Sequence, residues 1–123
     1  MLRSYKELTV WQQAYALCLD VYRLTKGLPV EEKYGLVSQM RRAAVSVPSN
    51  IAEGYGRKSS REYVQSLHVA YGSLCELETQ LMLASDLGMM EPKERKSALQ
   101  TLGDVERLLK ALIVSLKRKQ DKS

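Results

Sequence analysis

The stretch RRAAVSVPSNIAEGYGRKSSREY, Arg41 to Tyr63, decides the fold of this chain. It reads as helix up to Val47, meets Pro48, and then closes on Gly54, Gly56, the basic pair Arg57 and Lys58, and two serines. A proline inside a helix lacks the N–H that would bond the carbonyl four residues back, here Ala44, and its ring presses on that carbonyl, at roughly 3 kcal/mol or more. Yet Val37, Met40, Ala44, Val47, Ile51 and Tyr55 keep a helical spacing across it. The expectation is therefore a helix from about Glu31 to Tyr55, kinked at Pro48, with Ser46 or Ser49 hydroxyls satisfying freed backbone groups. A true break at Pro48 is the alternative. Gly54 and Gly56 suit a left-handed helix end. Ser59 and Glu62 then form the S-x-x-E pattern of a capping box, in which each side chain serves a backbone N–H at a new helix start near Ser60.

Working outward, an earlier helix is marked by Val10, Ala14, Leu17, Val21 and Leu24 and ends at KGLP, with Gly27 and Pro29. The helix after Ser59 continues on Tyr63, Leu67, Ala70, Leu74, Leu77, Leu81 and Ala84 until LGMMEP breaks it. Pro92 suits the first turn of a last helix carrying Leu99, Leu102, Val105, Leu109, Leu112 and Leu116. With no alternating strand pattern and only short links, the fold class is all-α: an antiparallel up-down four-helix bundle over residues 1–116, followed by a basic tail, 117–123.

A chain of 123 residues suits one domain with a core that needs no metal or disulfide. Cys18 and Cys75 sit in apolar helical patterns, which reads as reduced core thiols and a cytoplasmic location. MLRSYKELTVW is too polar for a signal peptide, and no apolar run approaches the ~20 residues of a membrane span, so no membrane partner is expected. The net charge is +5, and in the last seven residues Lys117, Arg118, Lys119 and Lys122 face only Asp121. Such a tail is a solvated end, or a site that holds a phosphate backbone or acidic partner by charge.

Three helices carry more apolar surface than one bundle needs. The first adds Trp11, Tyr15, Cys18 and Tyr22; the third adds Val64, Tyr71, Cys75 and Met82; the second adds Val45, Pro48 and Ala52. The second helix also shows small residues, Ser38, Ala43, Ser46, Ser49 and Asn50, where a solvated helix displays lysine and glutamate. Close packing of subunits into a homo-oligomer is the expected use of this surface. The alternative is that the long aromatics cap the rim of a monomer.

No catalytic residues, cofactor site or metal site is expected. His68 reads as a packed or interface histidine, the cysteines lack ligand spacing, and GYGR lacks the lysine and strand of a phosphate loop. Glu76 and Glu78 point to different sides of a helix. Arg41 and Glu78 lie in or beside apolar arcs and are expected to pair with each other or across a subunit boundary. Arg42 and Glu53 are about 16 Å apart along one helix and are expected to pair with neighbouring subunits. Arg57, Lys58 and Arg61 cluster at a helix start that favours anions, and with Lys117, Arg118 and Lys119 they are the candidate nucleic-acid-binding residues. The structural reading of Arg57 and Lys58 is that they offset the negative end of the second helix.

LVSQMRRAAVSVPSNIAEGYGR, with YKELTVWQQAYALCLDVYRLT before it and YGSLCELETQLMLASDLG after it, closely resembles the four helix bundle protein family, also called the S23 or 23S rRNA intervening-sequence protein family. The resemblance covers residues 5 to 116 and implies a left-handed bundle assembling as a ring-shaped homopentamer, with no established activity. A distant relative, in diversity-generating retroelements, is a basic pentamer that works with a reverse transcriptase and RNA, which implies a nucleic-acid enzyme as a partner. The functional expectation is a non-catalytic oligomer that binds RNA or DNA backbone, the alternative a protein-interaction scaffold. A ring would multiply weak phosphate contacts.

Overall fold

The computed structural model describes residues 2–122, and these are helical apart from short links. Met1 and Ser123, the outer limits of the expected bundle and tail, lie outside the described residues. A 3-10 turn at Tyr5–Glu7 leads into α1 (Thr9–Thr25), and another at Val30–Glu32 precedes α2 (Leu36–Tyr55). Then follow α3 (Ser60–Asp86) and α4 (Pro92–Lys122). Each helix packs on its sequence neighbours and α4 closes back on α1, while the backbones of diagonal partners stay apart among the described residues. A closed ring of neighbours joined by short links is the packing that an up-down bundle requires.

The core is built from the predicted stripes. Leu17, Val21, Met40, Val47, Ile51, Leu67, Leu74, Leu77, Leu81, Leu102, Val105 and Leu109 are fully buried. Each such side chain contributes about 1.5–3 kcal/mol relative to exposure. In α4 the buried line runs through Ala98 and Ile113, while Leu99 and Leu112 sit half-buried at its flank.

Helix ends differ from expectation in instructive ways. α2 begins at Leu36 rather than near Glu31, because Glu32 folds back and its Oε1 accepts the Leu36 N–H at 3.1 Å. A side chain at Gly35 would crowd that carboxylate, since a Cβ there would lie 2.8 Å from Glu32 Oε1. α2 then runs unbroken through the buried Pro48. Neither Gly54 nor Gly56 adopts the left-handed conformation; Gly56 sits at φ −81° and Gly54 lies inside the helix. That role falls to Gly88, at φ 77°, which ends α3. There the Met89 N–H reaches Ala84 O at 2.9 Å and the Gly88 N–H reaches Ser85 O at 3.0 Å, the paired bonds of a Schellman end. At the start of α3 the Ser59 hydroxyl accepts the Glu62 N–H at 3.2 Å, as the capping box predicts, but the return bond from Glu62 does not form.

The small-residue face of α2 is used within the chain. Ser46 Oγ and Ser73 Oγ of α3 are hydrogen-bonded at 2.7 Å, and Asn50 Nδ2 donates to Ser46 O at 2.8 Å and Ser46 Oγ at 3.0 Å. Ala43 and Gly54 are buried on the same line. The Ser46 hydroxyl thus bridges two helices instead of serving the carbonyl freed by Pro48. Ser46, with Ala43 and Gly54, brings α2 close to α3, whereas Ser49 is exposed at the α1–α2 groove.

Candidate nucleic-acid interface

Four antiparallel helices return the chain's beginning, its α2–α3 turn and the C-terminal end of α4 to one end of the bundle. Tyr55 Oη donates to Leu2 O at 3.2 Å, tying the N-terminal segment to the end of α2. Ser60 and Arg61 at the start of α3 line one cleft with Lys119 and Gln120 of α4. The two basic clusters that are far apart in sequence therefore share one surface. The tail residues Lys117, Arg118 and Lys119 are part of it because α4 continues as helix through them to Lys122.

Arg3 and Lys6 join the same end, a membership that the sequence reading missed although bundle parity alone implies it. Across residues 2–7, 53–62 and 117–121 there are eight basic side chains against four acidic ones. The opposite end, residues 26–35 and 86–96, carries five of each. Lys58, Arg61, Lys117, Arg118 and Lys119 are exposed and make no ion pair among the described residues. Arg57 is different: it pairs with Glu53 one turn earlier on α2. An exposed pair of this kind contributes at most about 1 kcal/mol, so it partly offsets the charge of Arg57 without locking it away.

The aromatic side chains at this end are engaged. Tyr55 and Tyr63 meet edge to face at 6.3 Å, and Tyr5 meets Trp11 edge-on at 5.2 Å. Burial, and then the neighbouring Tyr55, push the Tyr63 phenol above its ordinary range.

A family model described as 23S rRNA-intervening sequence protein matches residues 6–111. The chain belongs to this family. Among solved structures, it resembles a protein of unknown function from the S23 ribosomal protein family of Bacteroides thetaiotaomicron, with a TM-score of 0.79 at 22% identity. That alignment covers 85% of this chain and 94% of the other, and it establishes the shared fold. A comparison with curated proteins finds no match. Lys117, Arg118 and Lys119 lie beyond the stretch that this family member shares with the family model.

The other predicted site residues fall into different places. Arg41 does not meet Glu78. Its Nε donates to Thr25 Oγ1 at 2.9 Å, a terminal nitrogen reaches Tyr22 O at 3.4 Å, and the guanidinium lies 4.7 Å from the centre of the Tyr22 ring. These groups form the last turn of α1, whose unpaired carbonyls attract a cation. Glu78 and Arg42 have no hydrogen-bonding or ionic partner among the described residues. Glu53 pairs with Arg57 one turn later on the same helix.

Between α1 and α2 an apolar groove of about 300 Å³ is lined by Trp11, Tyr15, Leu19, Val45, Pro48 and Ser49, among others. Cys18 lies half-buried in it, and burial pushes its thiol up. Cys75 is exposed rather than in the core, and His68 is exposed as well, because the second stripe of α3 turns outward beyond Val64. No helix of the described residues is long and apolar enough to cross a membrane.

Proposed function

We propose that this family member is a non-catalytic, cytoplasmic homo-oligomer that grips the phosphate backbone of RNA or DNA through its basic end, in the company of a nucleic-acid enzyme. The observation that carries this reading is the convergence of Arg3, Lys6, Lys58, Arg61 and Lys117–Lys119 on one end while the other end is charge-balanced. None of these seven cations has an acidic partner to displace among the described residues, so a polyanion meets them directly.

Self-association is supported by the groove between α1 and α2, where Tyr15, Leu19 and Val45 are 49%, 43% and 41% exposed. A pentamer is the number that the family resemblance implies. Repeating the basic end around a ring multiplies contacts that are weak singly.

The test is anisotropy of a labelled generic RNA against salt. Affinity falls linearly on a log–log plot, with about 0.7–0.9 of slope for each phosphate neutralised. Replacing Arg57, Lys58 and Arg61 with alanine, or Lys117, Arg118 and Lys119, reduces both affinity and slope. Unchanged binding in both triple variants refutes the basic end. Sedimentation with and without RNA reads the subunit number in the same samples. A protein-interaction scaffold is the second reading, favoured by the exposed Val69, Met82 and Leu83 on the outer side of α3.

A further inference from the structure

We infer that the basic end is matched to double-stranded nucleic acid rather than to single strands, an inference that rests on the nucleic-acid reading above. Single-strand binders combine a cationic track with aromatic platforms, and each stacked base strengthens binding by roughly fivefold to a hundredfold. The basic end has the cations without the platforms. Its four aromatics already contact one another: Tyr55 meets Tyr63 and Leu2 O, and Tyr5 meets Trp11, which packs on Tyr15 along the α1–α2 groove. The most exposed tyrosine, Tyr34 at 87%, stands in the α1–α2 link at the opposite end.

The placement of the cations points the same way. They come from three chain segments spread over the end of the bundle rather than from one line along a helix. Arg61 of α3 faces Lys119 of α4 across a shared cleft. Axes of packed helices lie about 8–10 Å apart, comparable with the roughly 12 Å width of a B-form major groove. Charges so spaced can reach phosphates of two strands at once. A duplex also carries the denser charge, one per about 1.7 Å of axis, and each phosphate neutralised yields a larger salt slope, about 0.9 against 0.7 for a single strand.

The experiment uses the full-length protein and four labelled probes across one common salt series: a 20-base-pair RNA duplex, the matching DNA duplex, and uridine and thymidine 20-mers that form no secondary structure. Anisotropy is expected to show at least one duplex bound about tenfold tighter than its single-stranded counterpart, with the steeper salt dependence. Preference for the RNA duplex alone assigns A-form geometry, and equal binding of both duplexes assigns charge density; either supports the inference. Single strands bound as tightly as the duplexes, or more tightly, overturn it while leaving backbone binding intact. Binding to none of the probes overturns the functional reading itself and the inference with it.

Discussion

Gly54 offers a sharp test of the contact that holds the α2–α3 turn in place. A Cβ at this position would lie 2.9 Å from Ser66 Cβ, 2.9 Å from Tyr63 Cδ1 and 3.2 Å from the Tyr63 carbonyl oxygen. Two of these atoms are fixed to the α3 backbone, so rotation of one side chain cannot relieve the crowding. Gly54→Ala must push the helices apart, and overpacking of this kind costs about 1–3 kcal/mol. Alanine gains up to about 1 kcal/mol over glycine in a helix interior. Contacts this short belong in the upper part of the overpacking range, so the net effect is a destabilisation of about 1–2 kcal/mol. Gly72 is the internal control: it is exposed in the middle of α3 with nothing within 4 Å of an added Cβ. Gly72→Ala should therefore stabilise by about 0.5–1 kcal/mol through propensity alone. Thermal and urea unfolding of the two variants beside the parent should move in opposite directions, with Tm shifts of about 3–5 °C per kcal/mol for a domain this size. If Gly54→Ala is as stabilising as Gly72→Ala, the close approach of α2 and α3 is wrong, and so is the placement of the basic turn that depends on it.

Arg41→Ala should cost about 1–2 kcal/mol in urea unfolding, from the lost bond to Thr25 and the stacking on Tyr22, while Glu78→Ala should change stability by less than about 0.5 kcal/mol. Equal losses in the two would restore the Arg41–Glu78 pair. Alkaline stability follows from Cys18 and Tyr63, which burial holds protonated above their ordinary values of 9.0 and 10.0. The unfolded chain releases those protons at lower pH than the folded one, so their contribution is complete below about pH 9 and lost as pH rises through the folded values. Denaturation midpoints should therefore fall between pH 8 and 10.5, and a smaller fall in Cys18→Ala checks the assignment. Iodoacetamide at pH 8 should label Cys75 first, with Cys18 protected by burial and its raised thiol; mass spectrometry of partly modified protein reads the order.

The long stripes of α1 and α3 were legible because burial repeats at helical spacing, and Leu17, Leu67, Leu74 and Leu81 fall where the periodicity puts them. Pro92 and Ser59 marked helix starts through chemistry that needs only local neighbours. Features that depend on which helix lies alongside were not legible. A helical wheel places Arg41 within an apolar arc but cannot say whether α1 or α3 covers that side. The small residues of α2 correctly signalled close approach, yet the sequence did not reveal that α3 of the same chain makes it through Ser73. Gly54 carried two meanings, a helix end or a crossing point, and only the position of Ser66 and Tyr63 decides between them. The late start of α2, at Leu36, escaped because glutamate at position 32 caps from outside the helix, without the serine or aspartate that usually marks a start.

The charge asymmetry is a consequence of topology more than of composition. α4 alone carries nine basic and four acidic side chains, an excess equal to the chain's whole +5, but only its last turns reach the basic end. An even number of antiparallel helices brings the first residues, the middle turn and the last turns together, and each of those three segments has a small basic excess. The sum is a surplus of four at one end against none at the other. Antiparallel neighbours also cancel their helix dipoles in pairs, so the side chains alone set the field at that end. A molecule polarised this way approaches a polyanion basic end first and gains in association rate at low salt. Inserting one charge-neutral helix before α4 would carry its last basic turns to the opposite end while leaving the net charge unchanged. The four-helix count is thus part of the functional argument, since it is what turns three weak basic segments into one surface.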